Sequence, residues 1–152
     1  FKPNTDDMRE APSLAIIAGL QDAGARVVAY DPEGMEQARG LLSGVEYAAD
    51  AYACAAGAQA LVLVTEWDAF RALDLGRLRG LMAAPVLVDL RNVYRPEDVR
   101  RHGFAYAGVG QPCCRAGRPG RSAAQAQDSC LFSRFLQGGA HHGLRAVEAV
   151  EA

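Results

Sequence analysis

Ala60-Leu61-Val62-Leu63-Val64-Thr65 is the stretch on which the fold turns. Five apolar residues stand in a row, with no alternation of polar and apolar positions. A strand of this kind buries both faces, as the inner strands of a parallel sheet do when helices cover them from both sides. A second buried run, Val86–Asp89, follows, and Leu75–Met82 between them has helical character. Strand, helix and strand joined by short links make one unit of an open α/β sheet.

The same alternation extends in both directions. Upstream, Ala11–Ala23 reads as a helix, with Pro12 in its first turn, Gly24 just past its end, and Ile16, Ile17 and Leu20 on one stripe. Arg26–Tyr30 reads as a strand ended by Asp31-Pro32. A helix over 33–42, a short strand Val45–Tyr47 and a helical turn Asp50–Ala56 lead into the central run. Downstream, Pro96–Arg101 begins a helix with proline, and Phe104–Ala107 reads as the closing strand. The fold class is therefore α/β: a Rossmann-like, doubly wound, mainly parallel sheet with helices on both faces.

The pattern stops near Pro112. Cys113 to Ser122 carries no apolar period, Ser122–Asp128 is small and polar, and the short apolar run Leu131–Leu136 is halted by Gly138-Gly139. Residues 1–112 read as one domain and 113–152 as a disordered or aberrant tail. A shift of reading frame in GC-rich DNA would produce such a segment, and translating the two other frames past Gly110 tests that expectation.

Composition excludes several classes. A net charge of −2 gives no reason to expect a nucleic acid partner. No apolar run approaches the ~20 residues of a membrane span, and Phe1-Lys2-Pro3-Asn4-Thr5-Asp6-Asp7 is no signal peptide. With no initiator Met at residue 1, the true N-terminus is expected upstream. Cys54, Cys113, Cys114 and Cys130 match neither a metal cage nor a disulfide framework, so reduced thiols of a cytoplasmic protein are expected.

Ligands of open α/β sheets bind beyond the carboxyl ends of the strands. Polar residues just after the apolar runs are the ones to inspect. Lys2 is the one lysine beside fifteen arginines and, with Arg9 ahead of a helix, suits phosphate, unless Arg9 pairs with Asp6 or Asp7. Arg91, two residues past a buried run, either offers its planar fork to a diphosphate or bridges Asp89 to orient a loop. Asp31 is expected to cap the following helix, since no GxGxxG precedes it. Cys54 reads as a small core residue and His102 as a surface group at a helix end. No residue reads as catalytic, and none as a metal ligand.

Several segments in series are recognisable together. Phe1 to Ser13 resembles the opening of the UDP-binding domain of UDP-glucose/GDP-mannose dehydrogenases, and Val28-Ala29-Tyr30-Asp31-Pro32 looks like its next strand and turn. Ala60 to Phe70 is similar to its Thr-Glu-Trp segment, Val88 to Tyr94 to its arginine loop, and Gly103 to Gly110 to its closing strand. The likeness runs in order from residue 1 to about 111.

The resemblance implies a four-electron oxidation of a nucleotide sugar, UDP-glucose by the look of Pro3 to Asp7 and Thr65-Glu66-Trp67. Two NAD molecules are reduced, and a cysteine forms a thiohemiacetal and then a thioester with the substrate. That cysteine, its partners and the Gly-rich NAD turn are expected upstream, so this chain alone is expected to be inactive. Carried over residue by residue, the family's substrate contacts fall on Phe1, Lys2 and Arg91, and its cation on the NAD side falls on Arg9. Phe1 would follow a truncated first strand whose loss leaves an unpaired edge. The tail has no counterpart in the resemblance. Homo-oligomers are expected only of the full-length enzyme. A GDP-mannose or UDP-N-acetyl-sugar enzyme, a stand-alone nucleotide-binding or regulatory module, and a non-functional remnant remain open.

Overall fold

A computed structural model describes residues 12–32, 35–110 and 145–148, the last as backbone alone. In chain order the elements are α1 (Pro12–Asp22), β1 (Arg26–Ala29), α2 (Met35–Leu41), β2 (Val45–Tyr47), α3 (Ala51–Ala55) and β3 (Ala60–Leu63). They continue with α4 (Asp68–Arg71), α5 (Leu75–Leu81), β4 (Val86–Asp89), α6 (Pro96–Arg101), β5 (Ala105–Gly108) and β6 (Arg145–Glu148).

Local chemistry sets the boundaries. α1 stops in a Schellman turn: Gly24 has φ 83°, its amide donates to Gln21 O at 2.8 Å, and the Ala25 amide donates to Leu20 O at 2.9 Å. α3 and α5 are capped by Asp50 and Asp74, whose carboxylates accept the Ala53 and Arg77 amides at 2.7 and 3.0 Å. α6 begins at Pro96, where a missing N–H costs nothing.

The strand order is β2-β1-β6-β3-β4-β5, and every pairing is parallel. Alternate residues of β1, β3 and β4 feed opposite cores. Val27 and Ala29 of β1, Val62 of β3 with the following Val64, and Val88 of β4 pack with Ile17 and Leu20 of α1 and Ala38 of α2. Val28, Leu61, Leu63 and Leu87 pack the other way, against Cys54, Leu75, Leu78, Val99, Phe104 and Tyr106. The sheet is thus covered on both faces, as its unbroken apolar strands require.

Two elements depart from the sequence reading. Asp68–Arg71 forms a single helical turn to which the sequence reading assigns no element. More consequentially, a strand exists at Arg145–Glu148, inside the stretch read as tail, and it lies in the centre of the sheet. β1 and β3 do not pair with each other; each pairs with β6, Val147 standing opposite Val28 on one side and Leu61 on the other. The edge expected to lie unpaired is covered. The physical reason is the demand of the inner edges of β1 and β3, whose buried amides and carbonyls need partners. The apolar run Leu131–Leu136 lies outside the described residues.

Candidate functional site

The carboxyl ends of β1, β3, β4 and β5 bring Tyr30-Asp31, Thr65-Glu66-Trp67, Arg91-Asn92 and Val109 to one edge of the sheet. The centre of this edge is organised by Asp89, the last residue of β4, which has no exposed surface. Its Oδ1 accepts the Arg91 amide at 3.1 Å; its Oδ2 accepts the Tyr94 amide at 3.0 Å and the Tyr106 hydroxyl at 3.2 Å. Three donors around one buried carboxylate fold the residues after β4 into a fixed loop.

That loop is tied at two further points. Asn92 adopts φ 53°, a left-handed conformation that asparagine tolerates, and its Nδ2 donates to Val109 O at 3.3 Å. Tyr94 donates its hydroxyl to Phe70 O, on the helical turn after β3. Gly108 lets the two ends meet: a Cβ there would stand 2.9 Å from Asn92 Oδ1 and 2.9 Å from Tyr106 Oη. Burial, and then the Asp89 charge, raise the pKa of both tyrosines above the ordinary value, so they remain hydrogen-bond donors.

Arg91 is delivered to the edge by this loop. Its guanidinium stands 3.5 Å from Glu66 Oε1, and a third of its side chain is exposed. Of the two readings left open, the bridge to Asp89 is made by the Arg91 amide, which leaves the guanidinium facing the strand ends and Glu66. Glu66 also takes Arg71 at 3.7 Å, so two cations share one acid. Such half-exposed pairs are weak and can exchange partners with an incoming anion.

Next to them Asp31, 1% exposed, accepts the Trp67 indole N–H at 3.3 Å and links the ends of β1 and β3. The capping expected of Asp31 falls partly on residues 33–34, outside the described residues. Thr65 is buried, its hydroxyl without a hydrogen-bond partner among the described residues. Phe1, Lys2 and Arg9 lie outside the described residues as well. Cys54 is fully buried, its thiol 3.4 Å from Val28 O, and His102 is exposed at the end of α6, both as their sequence positions suggest. The tyrosine pair around Asp89 and the partnership of Arg91 with Glu66 escape the sequence reading, because both join residues distant along the chain.

With this geometry in place, comparison with known proteins is informative. The family model described as "UDP-glucose/GDP-mannose dehydrogenase family, UDP binding domain" matches residues 1–96. A UDP-glucose 6-dehydrogenase of Rhizobium meliloti is 60% identical over 112 residues, covering 74% of this chain and 26% of that protein. One of Pseudomonas aeruginosa is 46% identical over 135 residues, 82% of this chain and 28% of the relative, a match that extends past residue 112. UDP-glucose 6-dehydrogenase TuaD of Bacillus subtilis is 38% identical over 120 residues, 78% of this chain and 26% of the relative. The chain thus spans about a quarter of the length of the relatives it matches. The buried apolar strands, the loop that Asp89 builds around Arg91 and the family match agree: the chain belongs to the UDP-glucose/GDP-mannose dehydrogenase family and carries its UDP binding domain.

Proposed function

We propose that this domain holds the diphosphate of a UDP-sugar, UDP-glucose in the first place, at the carboxyl edge of its sheet, for oxidation by the remainder of a longer enzyme. The observation that carries the proposal is Arg91, presented at a strand end by a buried carboxylate through its backbone, so that its own charge is kept for the edge. A guanidinium donates two parallel hydrogen bonds to a phosphate, and its planar fork is preorganised to do so. By the family resemblance, Lys2 and Phe1 are assigned to the nucleotide sugar as well, and Arg9 to the NAD side.

The relatives' name supports glucose as the sugar and a 6-oxidation as the chemistry. The balanced reaction is UDP-glucose with two NAD+ and water giving UDP-glucuronate, two NADH and three protons. NAD is a cosubstrate, bound mainly by the other part of the enzyme. Among the described residues no glycine-rich turn joins a strand to a helix in the dinucleotide pattern. This chain's own work is to bind and orient, which confines its contribution to holding the sugar's C6 in place. The full-length enzyme is expected to be a cytoplasmic homo-oligomer, and this chain alone to turn over no NAD+.

A second reading, a nucleotide-binding module that folds and binds without the rest, is favoured by β6, which leaves the sheet no unpaired inner edge. Binding tests both. Trp67 is the single tryptophan, and its indole touches the site, so its fluorescence reports occupancy. UDP should change that emission saturably, and Arg91→Ala should weaken binding on the order of tenfold or more with the fold intact. Equal affinity of the two forms would sink the assignment of Arg91, and GDP-mannose binding better than UDP-glucose would redirect the substrate.

A further inference from the structure

Arg91 does not stand alone at the carboxyl edge. One chain of contacts holds both its loop and the helical turn α4. Asp89 Oδ1 accepts the Arg91 amide, its Oδ2 accepts the Tyr94 amide, and the Tyr94 hydroxyl donates in turn to Phe70 O. Phe70 is buried and meets Tyr30, just past the end of β1, edge to face with ring centroids 6.3 Å apart. A helical turn of four residues has little stability of its own. These contacts therefore decide where the next residue, Arg71, emerges.

Arg71 emerges beside Arg91. Each oxygen of the Glu66 carboxylate takes one guanidinium: Oε1 that of Arg91 at 3.5 Å, Oε2 that of Arg71 at 3.7 Å. A carboxylate bracketed in this way stands in for one edge of a phosphate group, two oxygens sharing negative charge between planar donors. Its hold is loose. Arg71 is more than half exposed, its other acid, Asp68, lies 3.8 Å away and fully in water, and pairs of this kind contribute little. Thr65, the residue before Glu66, is buried with its hydroxyl unpartnered among the described residues. Polar capacity at this strand end exceeds what its own neighbours use.

We infer that Arg71 is a second phosphate-binding residue, and that Glu66 is an internal anion which the ligand displaces from between Arg71 and Arg91. The inference rests on the diphosphate reading above and extends it. Arg91, fixed through its backbone, takes one phosphoryl group; Arg71, on the exposed turn, takes the other. The two arms distinguish a nucleoside diphosphate, or its sugar ester, from a monophosphate, which fills only one of them. Because one anion replaces another, neither guanidinium is left uncompensated before or after binding.

Titration of the full chain with UDP and with UMP, read by Trp67 emission, tests the second arm. Arg71→Ala should weaken UDP about three- to fivefold, the upper range for a partly exposed ion pair. Its affinity for UMP should equal the parent's, which also shows that the fold is intact. Arg71→Lys keeps the charge and loses the fork, so it should recover part of the loss. The tightening expected of Glu66→Gln should shrink when residue 71 is already alanine. Arg101→Ala removes the same charge from the last residue of α6, away from this edge, and should leave UDP affinity unchanged. Equal affinity of Arg71→Ala and the parent for UDP overturns the inference. So does an equal loss for UDP and UMP, or an equal loss in Arg101→Ala, since net charge alone would then account for it. Arg91→Ala separates this inference from the reading beneath it. If Arg91→Ala weakens UDP and Arg71→Ala does not, only the second arm falls; if neither does, both fall.

Discussion

Asp89 and Arg91 are joined through the backbone and not through their charges: the carboxylate accepts the Arg91 amide at 3.1 Å, while the guanidinium turns to Glu66 at 3.5 Å. The acid therefore fixes where the arginine stands without consuming its charge. Four expectations follow from this relationship and its surroundings.

Asp89→Asn keeps the shape of the side chain but places an NH2 against one set of donors. Two backbone amides and a tyrosine hydroxyl then compete for a single acceptor. A loss of about 1.5–3 kcal/mol is expected, the scale of hydrogen bonds to a charged group. Urea melts of the two chains measure it, and UDP titration should show weaker binding as the loop loosens. Unchanged stability would mean that the three bonds are not made in solution.

Glu66→Gln should act in the opposite direction on the ligand. Glu66 draws on the charge of both Arg91 and Arg71 while itself largely accessible to water. Such a pair contributes little stability, so the melting temperature should hardly move. Released from it, the two guanidinium groups should bind UDP severalfold more tightly, most visibly at low salt. Calorimetric titration at two ionic strengths decides, and weaker binding by the variant would count against a phosphate role for this edge.

Alkaline pH should unfold the domain through its tyrosines. Burial first, and the Asp89 charge second, raise the pKa of Tyr94 and Tyr106 from the usual value near 10. In the unfolded chain they ionise near pH 10; in the folded chain they keep their protons. Their contribution is fully present below about pH 10 and drains away as pH rises toward the higher folded values. Thermal melts between pH 8 and 11.5 should show the decline, and Tyr106→Phe should flatten it. A melting temperature indifferent to this range would contradict the buried Asp89 cluster.

Two glycines should respond with opposite signs. Gly108→Ala drives a Cβ to 2.9 Å from Asn92 Oδ1 and Tyr106 Oη, so the arginine loop must shift, at about 1–3 kcal/mol. Gly19 sits in the middle of α1 with nothing within 4 Å of an added Cβ. Gly19→Ala should stabilise by about 0.5–1 kcal/mol through helix propensity and a less mobile unfolded chain. Denaturant midpoints of the two variants are sufficient to check both.

What the amino-acid sequence reveals of this architecture divides along a physical line. β4 (Val86–Asp89) and α6 (Pro96–Arg101) are found at the boundaries read from sequence, because an unbroken apolar run and a proline start are local signals. Arg91 at a strand end is legible for the same reason. Asp89's grip on Tyr106, seventeen residues away, is not, since nothing in a linear pattern encodes which hydroxyl a carboxylate will meet. α4, at four residues, is shorter than any helical period can register. β6 is the plainest case. Arg-Ala-Val-Glu has neither alternation nor bounding turns, and its conformation is conferred by the two edges that receive it, as strand preference commonly is.

The position of β6 also governs time. Domains ordinarily begin to fold from their N-terminal side while synthesis continues. Here the strand that lies between β1 and β3 follows all the others in chain order. Among the described residues, the pairings that β6 makes with β1 and β3 are accordingly the last the sheet can form during synthesis.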